Sequence, residues 1–500
     1  MDIFTNLALG FSVALAPANL LYGFFGVLLG TIIGVLPGLG PVATISILLP
    51  VTFTLQPQAA MIMLAGIYYG AQYGGSTTAI LVNIPGESSS VVTCIDGYQM
   101  ARQGKAGLAL ATAALASFLA GTFATFVIAF AAPALAEMAL KFGPADYFSL
   151  MIFGLVAAVI LAHGSVVKAI GMILVGILLG TIGIDVNTSV ARFTFHIPQF
   201  GDGIDFAVIA MGVFGIGETI ANLARSAEQR GYISNYQGLW PAPKDLRAMV
   251  APAFRGTLLG SALGVLPGGG PVLASFSAYS LEKKLATDPS RFGRGAIEGV
   301  AGPEAANNAA AQTSFIPLLT LGLPANAVMA LMVGALMMQG LHPGPQLLRD
   351  KPDLFWGLVA SMWIGNLMLV ILNLPLVGIW AKMLTVPYRY LYPAILLICC
   401  VGVYSINTSA LDVVIASIFG LVGFVLYRLH CEPAPMLLGF ILGPLIEESL
   451  RRALLISHGD PWVFVQRPIS LSFLVMTAAL VVLLCAPMIR ATRERVFVEE

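Results

Sequence analysis

The sequence GVLPGLGP at residues 34–41 is repeated as GVLPGGGP at residues 264–271, with seven of the eight positions identical. In each copy an apolar segment precedes the motif and a short apolar segment follows it. Proline lacks a backbone N–H group and clashes with the preceding helical turn, whereas glycine tolerates positive φ angles, so the motif interrupts a helix. The repeat therefore predicts two related halves, each with a broken helix at its Pro-Gly motif.

The composition around these motifs is that of a membrane protein. Only 10% of the 500 residues are charged, 58% are hydrophobic and the mean hydropathy is +0.89, whereas soluble proteins carry about 25% charged residues. The apolar segments suffice for about 10 to 14 helices of roughly 20 residues, so we predict an all-α polytopic membrane protein with transmembrane or re-entrant helices. The formal net charge of +0 excludes nucleic acid as a partner, because that needs a basic surface.

Three apolar segments, 41–55, 271–281 and 434–446, are too short to cross a hydrocarbon core of about 30 Å, which needs roughly 20 helical residues. We expect re-entrant or broken helices at these places. Irregular backbone at that depth must line a cavity or be buried in protein. Internal repeats around paired broken helices are how secondary transporters build a substrate site near the membrane midplane.

A hydrophilic stretch at 223–249 divides the chain, and by the positive-inside rule it and the C-terminal tail are cytoplasmic. Their basic residues are Arg225, Arg230, Lys244, Arg247, Arg490, Arg493 and Arg495. We predict a first transmembrane half at 1–222, a basic linker at 223–249 and a second half at 250–500 with additional C-terminal helices. Whether the halves are parallel or inverted stays open. We expect Glu218 to pair with Arg225 at the membrane interface.

The two glycine motifs are candidate anion-binding loops. Their candidate substrate-binding residues are Pro37, Gly38 and Gly40 in the first motif and Pro267, Gly268, Gly269 and Gly270 in the second. The half-helix that begins near Pro41 or Pro271 presents unpaired N–H groups and the positive end of its dipole, which bind an anion such as a carboxylate. The two loops could therefore hold two carboxylates of one substrate. The alternative is that they are tight turns where helices cross closely.

A polar segment follows in each half, YYGAQYGGSTTAILVNIPGESSS at 68–90 and GPEAANNAAAQTSFIPLLTLGLPAN at 302–326, and the two are similar in character but not in register. In the first we select Ser76, Thr77, Thr78 and Asn83 as groups that could bind a carboxylate or supply oxygens to Na⁺. The alternative is that the hydroxyl groups bond backbone carbonyls or line helix contacts. Glu87 could be a solvated loop acid.

In the second polar segment we predict Glu304, Asn307, Asn308 and Thr313 as cation-coupling residues. In a helix, Glu304 and Asn308 share one face. An ionisable residue at membrane depth indicates function, because leaving it unpaired is costly, and its oxygens suit Na⁺ or H⁺. The alternative is that Glu304 caps a helix end at the membrane interface.

The sequence contains no pattern for enzyme chemistry. The histidines show no metal-binding spacing, the five cysteines form no CxxC pair, and no P-loop is present. We predict that the chain is not an enzyme and that it uses no cofactor other than a transported Na⁺ or H⁺. ATP is thereby excluded as its direct energy source.

These motifs resemble the large membrane subunit, the TctA type, of the tripartite tricarboxylate transporter family. The resemblance extends over segments 34–50, 68–87, 96–110, 264–284 and 299–324. It implies the transport path of a bacterial inner membrane system that works with a small four-span subunit of the TctB type. It also implies a periplasmic solute-binding protein of the TctC type and uptake of citrate or another carboxylate by Na⁺ or H⁺ symport. A carboxylate transporter that works without a binding protein is the alternative.

Overall fold

The computed structural model describes residues 3–36, 39–161, 165–185, 188–224, 239–268, 270–384 and 388–485. Within this part, five helices are long and apolar enough to cross a membrane, and further apolar helices are shorter. The prediction of an all-α polytopic membrane protein is confirmed.

The α-helices, in chain order, are α1 (Ile3–Ala14), α2 (Pro17–Gly34), α3 (Pro41–Phe53), α4 (Pro57–Val82), α5 (Val91–Thr93), α6 (Ala106–Ala139), α7 (Pro144–Leu161), α8 (Val166–Gly180), α9 (Phe206–Ala210), α10 (Glu218–Ala224), α11 (Pro243–Gly264), α12 (Gly270–Leu285), α13 (Glu298–Thr313), α14 (Phe315–Leu321), α15 (Ala327–Met338), α16 (Pro345–Asp350), α17 (Pro352–Asn373), α18 (Val377–Met383), α19 (Tyr388–Asn407), α20 (Ala410–Arg428), α21 (Ala434–Ile456), α22 (Val463–Gln466) and α23 (Pro468–Cys485). Turns of 3₁₀-helix lie at Ser88–Ser90, Pro198–Phe200 and Pro289–Arg291, and π-helical segments at Cys94–Tyr98, Ala101–Lys105 and Met211–Gly217. The strands β1 (Gly183–Ile184) and β2 (Ala191–Arg192) form an antiparallel pair, with Gly183 opposite Arg192. The core lies along α4 and α13–α15, which are buried over almost their whole length.

Each copy of the repeated motif forms the tip of a helical hairpin. Helix α2 ends at Gly34 and α3 begins at Pro41, while α11 ends at Gly264 and α12 begins at Gly270. Proline at the first position of α3 is favourable, because its missing N–H group would have no partner there. Both helices are therefore broken at the predicted motif.

Small residues let the first arm of each hairpin lie directly against the helix that follows the hairpin. A Cβ atom added at Gly26, Gly30 or Gly34 would lie 2.3–2.5 Å from a main-chain oxygen of α4. In the first unit, α2–α4, the contacts are Gly26–Met63, Gly30–Ile67 and Gly34–Ala71. In the second unit, α11–α14, they are Gly256–Gly302, Gly260–Ala306 and Gly264–Ala310. Residue numbers rise together in both sets, so the first arm and the following helix run parallel.

The structure also supplies a register for the second polar segments, which the sequence analysis did not find. Asn83 (φ 59°) and Gly322 (φ 71°) both end a helix in the left-handed conformation, and Glu87 and Asn326 both cap the next one. The interpretation that these segments correspond only in character was wrong. The register was hidden because the connection between hairpin and following helix is longer in the second unit, 286–297 against 54–56.

The two units run in opposite directions. Ser76 of α4 contacts Glu304 of α13, and the ring of Tyr69, about two turns earlier on α4, packs on that of Phe315, the first residue of α14. Because numbers fall along α4 as they rise along α13 and α14, these helices are antiparallel. The units α2–α4 and α11–α14 are thus inverted relative to each other, which the sequence left open.

The segment 434–446 is not a short broken helix. It belongs to the continuous 23-residue helix α21, and Pro444 lies inside that helix. The apolar pattern stops at 446 because charged residues follow, but these pair with one another along the helix, Arg451 with Glu447 at 2.6 Å and Arg452 with Glu448 at 2.5 Å. Hydropathy alone therefore underestimated its length.

The predicted linker is described only in part. Residues 225–238 lie outside the described residues, as do the basic residues of the C-terminal tail, and α11 already begins at Pro243 within the predicted linker range. Glu218 is described and accepts a hydrogen bond from the Tyr427 hydroxyl at 3.4 Å. Its predicted partner Arg225 falls in the undescribed stretch, so that pairing stays a prediction.

Candidate functional site

A cavity of about 570 Å³ lies where the tips of the two hairpins meet. The first tip contributes Gly40 and Pro41, and the second contributes Gly268, Gly270 and Pro271. Pro267 lies in the second turn but does not line the cavity. Three of the predicted loop residues, Pro37, Gly38 and Gly269, lie outside the described residues.

The connections that follow α4 and α14 complete the wall between the tips. Residues 85–89 and 325–328 line the same cavity. In the second unit the tip is joined to its connection by a hydrogen bond from the Gly268 N–H group to the Ala325 carbonyl at 2.7 Å. Gly268 has φ +76°, a conformation that L side chains rarely adopt.

Several helix N-termini point their positive ends toward this cavity. Helix α3 begins at Pro41, α12 at Gly270 and α15 at Ala327, and each of these residues lines the cavity. The first N–H groups of a helix have no partner inside the helix. Three parts of the cavity wall therefore offer main-chain donors of the kind that bind carboxylate and phosphate groups.

Asn326 adds a side-chain donor to the wall. Its Oδ1 atom caps α15 by accepting a hydrogen bond from the Met329 N–H group at 3.0 Å. Its Nδ2 atom is buried and has no hydrogen-bond partner among the described residues. A buried donor without a partner costs about 1–3 kcal/mol, so an acceptor brought by a ligand would be favoured at this place.

Glu87 occupies the corresponding position in the first unit and has the opposite chemistry. It also lines the cavity, and it accepts hydrogen bonds from Ser89 Oγ at 2.5 Å and from Asn307 Nδ2 at 3.2 Å. With its amide turned to donate, Gln72 contacts the same carboxylate. Glu87 is thus half-buried and held in place rather than a solvated loop acid.

The charged side chains among the described residues that line the cavity are acidic rather than basic. Glu87, Glu218 and Glu432 contribute carboxylates, while none of the described lining residues is Lys, Arg or His. Among the described lining residues, positive potential for an anion therefore comes from helix N-termini and amide groups. An anion with several charges would need a cation or proton beside it.

Glu304 forms a second polar cluster deeper in the protein. It is 1% exposed, lies inside α13 rather than at the helix end, and accepts hydrogen bonds from Ser76 at 2.9 Å and Ser117 at 3.4 Å, and also from Thr93. Asn308 Nδ2 donates to Ser117 Oγ at 2.7 Å. All of these partners are uncharged.

The remaining selected residues have other surroundings. Thr78 Oγ1 donates to the Val35 carbonyl at 2.7 Å and so ties α4 to the first hairpin tip, and Thr313 Oγ1 donates to Ala309 beside Gly264. These contacts match the alternative in which hydroxyl groups line helix contacts. Asn83 ends α4, and Asn307 faces Glu87 instead of Glu304.

Sequence reasoning missed several residues of these clusters, namely Gln72, Thr93, Ser117 and Asn326. Asn326 could have been found by matching Asn-Ile-Pro-Gly-Glu at 83–87 with Gly-Leu-Pro-Ala-Asn at 322–326. Ser117 offers no such signal, since it is one of four hydroxyl residues in the long alanine-rich helix α6.

Inverted helical hairpins that line one cavity, within a fold of membrane-spanning helices, define a multi-pass membrane protein of the transporter class. The profile of one family matches residues 20–438. The chain belongs to the tripartite tricarboxylate transporter TctA family, as its motifs indicated.

The chain is similar to two proteins of Agrobacterium vitis. One, described as an uncharacterized 52.8 kDa protein in the TAR-I ttuC' 3' region, is 60% identical over 500 residues, 100% of both chains. The other, an uncharacterized protein in the TAR-II ttuC' 3' region, is 62% identical over 241 residues, 48% of this chain and 100% of that protein. No solved structure matches the chain.

Proposed function

We propose that this subunit forms the translocation path of a secondary transporter that imports a tricarboxylate or other carboxylate. The observation that carries the proposal is the convergence of three helix N-termini and the unpartnered Asn326 Nδ2 atom on one cavity of about 570 Å³. A carboxylate of the substrate accepts hydrogen bonds from Asn326 and from the first N–H groups of α12 and α15. No step of this process requires enzymatic chemistry.

The second part of the proposal is coupling to a Na⁺ or H⁺ gradient. Moving an anion into a compartment at negative potential costs about 2.3 kcal/mol per charge per 100 mV. The Glu87 carboxylate adds to this cost, since it repels an anionic substrate. Co-bound cations or protons remove both penalties and reverse the sign of the net charge that moves.

The third part concerns sidedness and partners. One part of the cavity wall is formed by Asn222, near the end of α10, and Tyr427, near the end of α20. Helix α10 leads into the basic stretch that the positive-inside rule assigns to the cytoplasm, so this wall marks the release side. A periplasmic binding protein of the TctC type delivers the solute to the opposite face in the bacterial inner membrane, and a TctB-type subunit completes the complex.

Reconstitution tests the proposal. The complex is placed in proteoliposomes, and uptake of labelled citrate and other carboxylates is measured with and without binding protein and with Na⁺, H⁺ or no gradient. We expect concentrative uptake only when binding protein and a cation gradient are both supplied. Uptake that is equally fast without binding protein supports the stand-alone transporter, and equilibration without accumulation refutes coupling.

A further inference from the structure

A small void lies between α4, α6, α13 and the end of α17. Its volume is about 10 Å³, near the size that holds one water molecule and so also one small ion. Oxygen-bearing side chains line it, namely Tyr73, Ser76, Thr77, Ser117, Glu304 and Asn373. It shares no lining residue with the large cavity.

One acceptor atom that lines this void, on Asn373, has no hydrogen-bond partner among the described residues. The side chain is 6% exposed, and its Nδ2 atom donates to the Leu369 carbonyl at 2.9 Å. Its Oδ1 atom has no hydrogen-bond partner among the described residues. Asn373 is also the last residue of α17, where the negative end of the helix dipole favours a cation.

The remaining groups can turn their oxygens toward a cation. Ser76 Oγ lies 3.2 Å from the Gln72 carbonyl and Thr77 Oγ1 lies 3.2 Å from the Tyr73 carbonyl, so each hydroxyl proton can be donated to its own helix. The hydroxyl lone pairs are then free to face the void. Carboxylate, amide and hydroxyl oxygens are ligands for hard cations.

The charge of the site selects a monovalent ion. Glu304 is the one carboxylate on the void, and its described partners are neutral hydroxyl groups. A monovalent cation and this carboxylate form a neutral pair, whereas a divalent cation would leave a buried positive charge, which is costly. We propose that Na⁺ binds in this void, coordinated by Glu304, Asn373 and the hydroxyl oxygens of Ser76, Thr77 and Ser117.

This site rests on the proposed function in that it holds the coupling ion of the transporter. Asn307 lies one helical turn from Glu304 on α13 and donates to Glu87, which lines the large cavity. Occupancy of the void therefore acts on the substrate cavity through one turn of helix. Asn307 positions this link and is not a ligand of the ion.

Thermal unfolding of the purified complex, without substrate or binding protein, tests the site. Na⁺ is titrated against choline at constant ionic strength, since a ligand that binds only the folded state raises Tm. We expect Na⁺ to raise Tm, with K⁺ and choline much weaker. The Glu304→Gln and Asn373→Leu variants should need at least about tenfold more Na⁺ for half of the effect, which corresponds to about 1.4 kcal/mol. Ser117→Ala should show a smaller shift.

Asn366→Leu is the matched control, because Asn366 is also a buried amide on α17 but does not line the void. It should lower Tm without changing the Na⁺ concentration for half of the effect. The proposal is overturned if Tm of the unmodified protein responds to pH but not to Na⁺, or if the Glu304 and Asn373 variants keep the normal Na⁺ response. Because no carboxylate is present, failure here is distinct from failure of carboxylate uptake.

Discussion

The sharpest test of the substrate site is replacement of Asn326 by Asp. The change preserves size and the Oδ1 atom that caps α15 through the Met329 N–H group. It replaces the unpartnered Nδ2 donor with an acceptor and adds a negative charge to a cavity wall that already carries Glu87. If the donor binds a substrate carboxylate, the variant loses a hydrogen bond to a charged group and gains a repulsion.

The expected size of the effect follows from the lost hydrogen bond. A hydrogen bond to a charged group contributes about 1.5–3 kcal/mol, and each 1.4 kcal/mol is about tenfold in affinity. The KM for carboxylate uptake in proteoliposomes should therefore rise about 10- to 150-fold from this loss alone, with the repulsion added. Asn326→Ser, which can still cap the helix but carries no charge, should show the smaller of the two effects.

Two controls make this result interpretable. The complexes must assemble in normal amounts and have Tm values close to that of the unmodified protein, because the cap is retained. Binding of the solute to the isolated binding protein must be unaffected. A KM within twofold of the original in the Asn326→Asp variant would remove Asn326 from the substrate site and contradict the placement of a carboxylate beside α12 and α15.

Three further predictions follow from the hairpins and from Glu87. Gly268→Ala should destabilise the second tip by about 1–2 kcal/mol and lower uptake, since a φ of +76° is unfavourable for alanine. Unchanged uptake and Tm would show that the tip tolerates this strain. Gly30→Ala should lower Tm or prevent assembly, because its Cβ atom would lie 2.3 Å from the Ile67 carbonyl oxygen. Gly171→Ala is the control and should have little effect, because nothing lies within 4 Å of its Cβ atom. Equal Tm values for the two variants would refute the close-packing argument. Glu87→Gln should make uptake depend less steeply on cation concentration, because one negative charge in the cavity no longer needs a cation to compensate it. An unaltered dependence on cation concentration would exclude Glu87 from coupling.

The sequence predicts the broken helices well because their cause is local. Proline and glycine within 34–41 and 264–271 cannot continue a helix, so the interruption can be located from residue types alone. The depth and direction of each hairpin depend instead on which helix its glycines touch. That information lies in the packing of Gly30 on Ile67 and of Gly260 on Ala306, which composition does not specify.

The site was harder to predict because its polar groups come from distant segments. Glu304 could be selected, since an ionisable residue in an apolar stretch stands out, but its partners Ser117 and Thr93 come from helices whose sequences give no sign of proximity. Thr313 was selected because it lies near Glu304 in sequence, yet it faces the arm of the second hairpin at Gly264. The helical face, rather than the sequence distance, decides such contacts.

The inverted repeat leads to an asymmetry that the nearly identical glycine motifs conceal. Two equal tips would suggest that each holds one carboxylate of the substrate, and the sequence interpretation took that view. The residues that cap the next helices separate the two roles, because Asn326 presents a donor to the cavity whereas Glu87 presents an acceptor. We therefore expect a carboxylate at the second unit and a cation or proton at the first. Both residues line one cavity, so we expect a cation or proton at Glu87 to lower the electrostatic cost of binding a carboxylate at Asn326. Such a charge at Glu87 is distinct from the Na⁺ proposed at Glu304, which would reach the cavity only through α13, where Asn307 donates to Glu87.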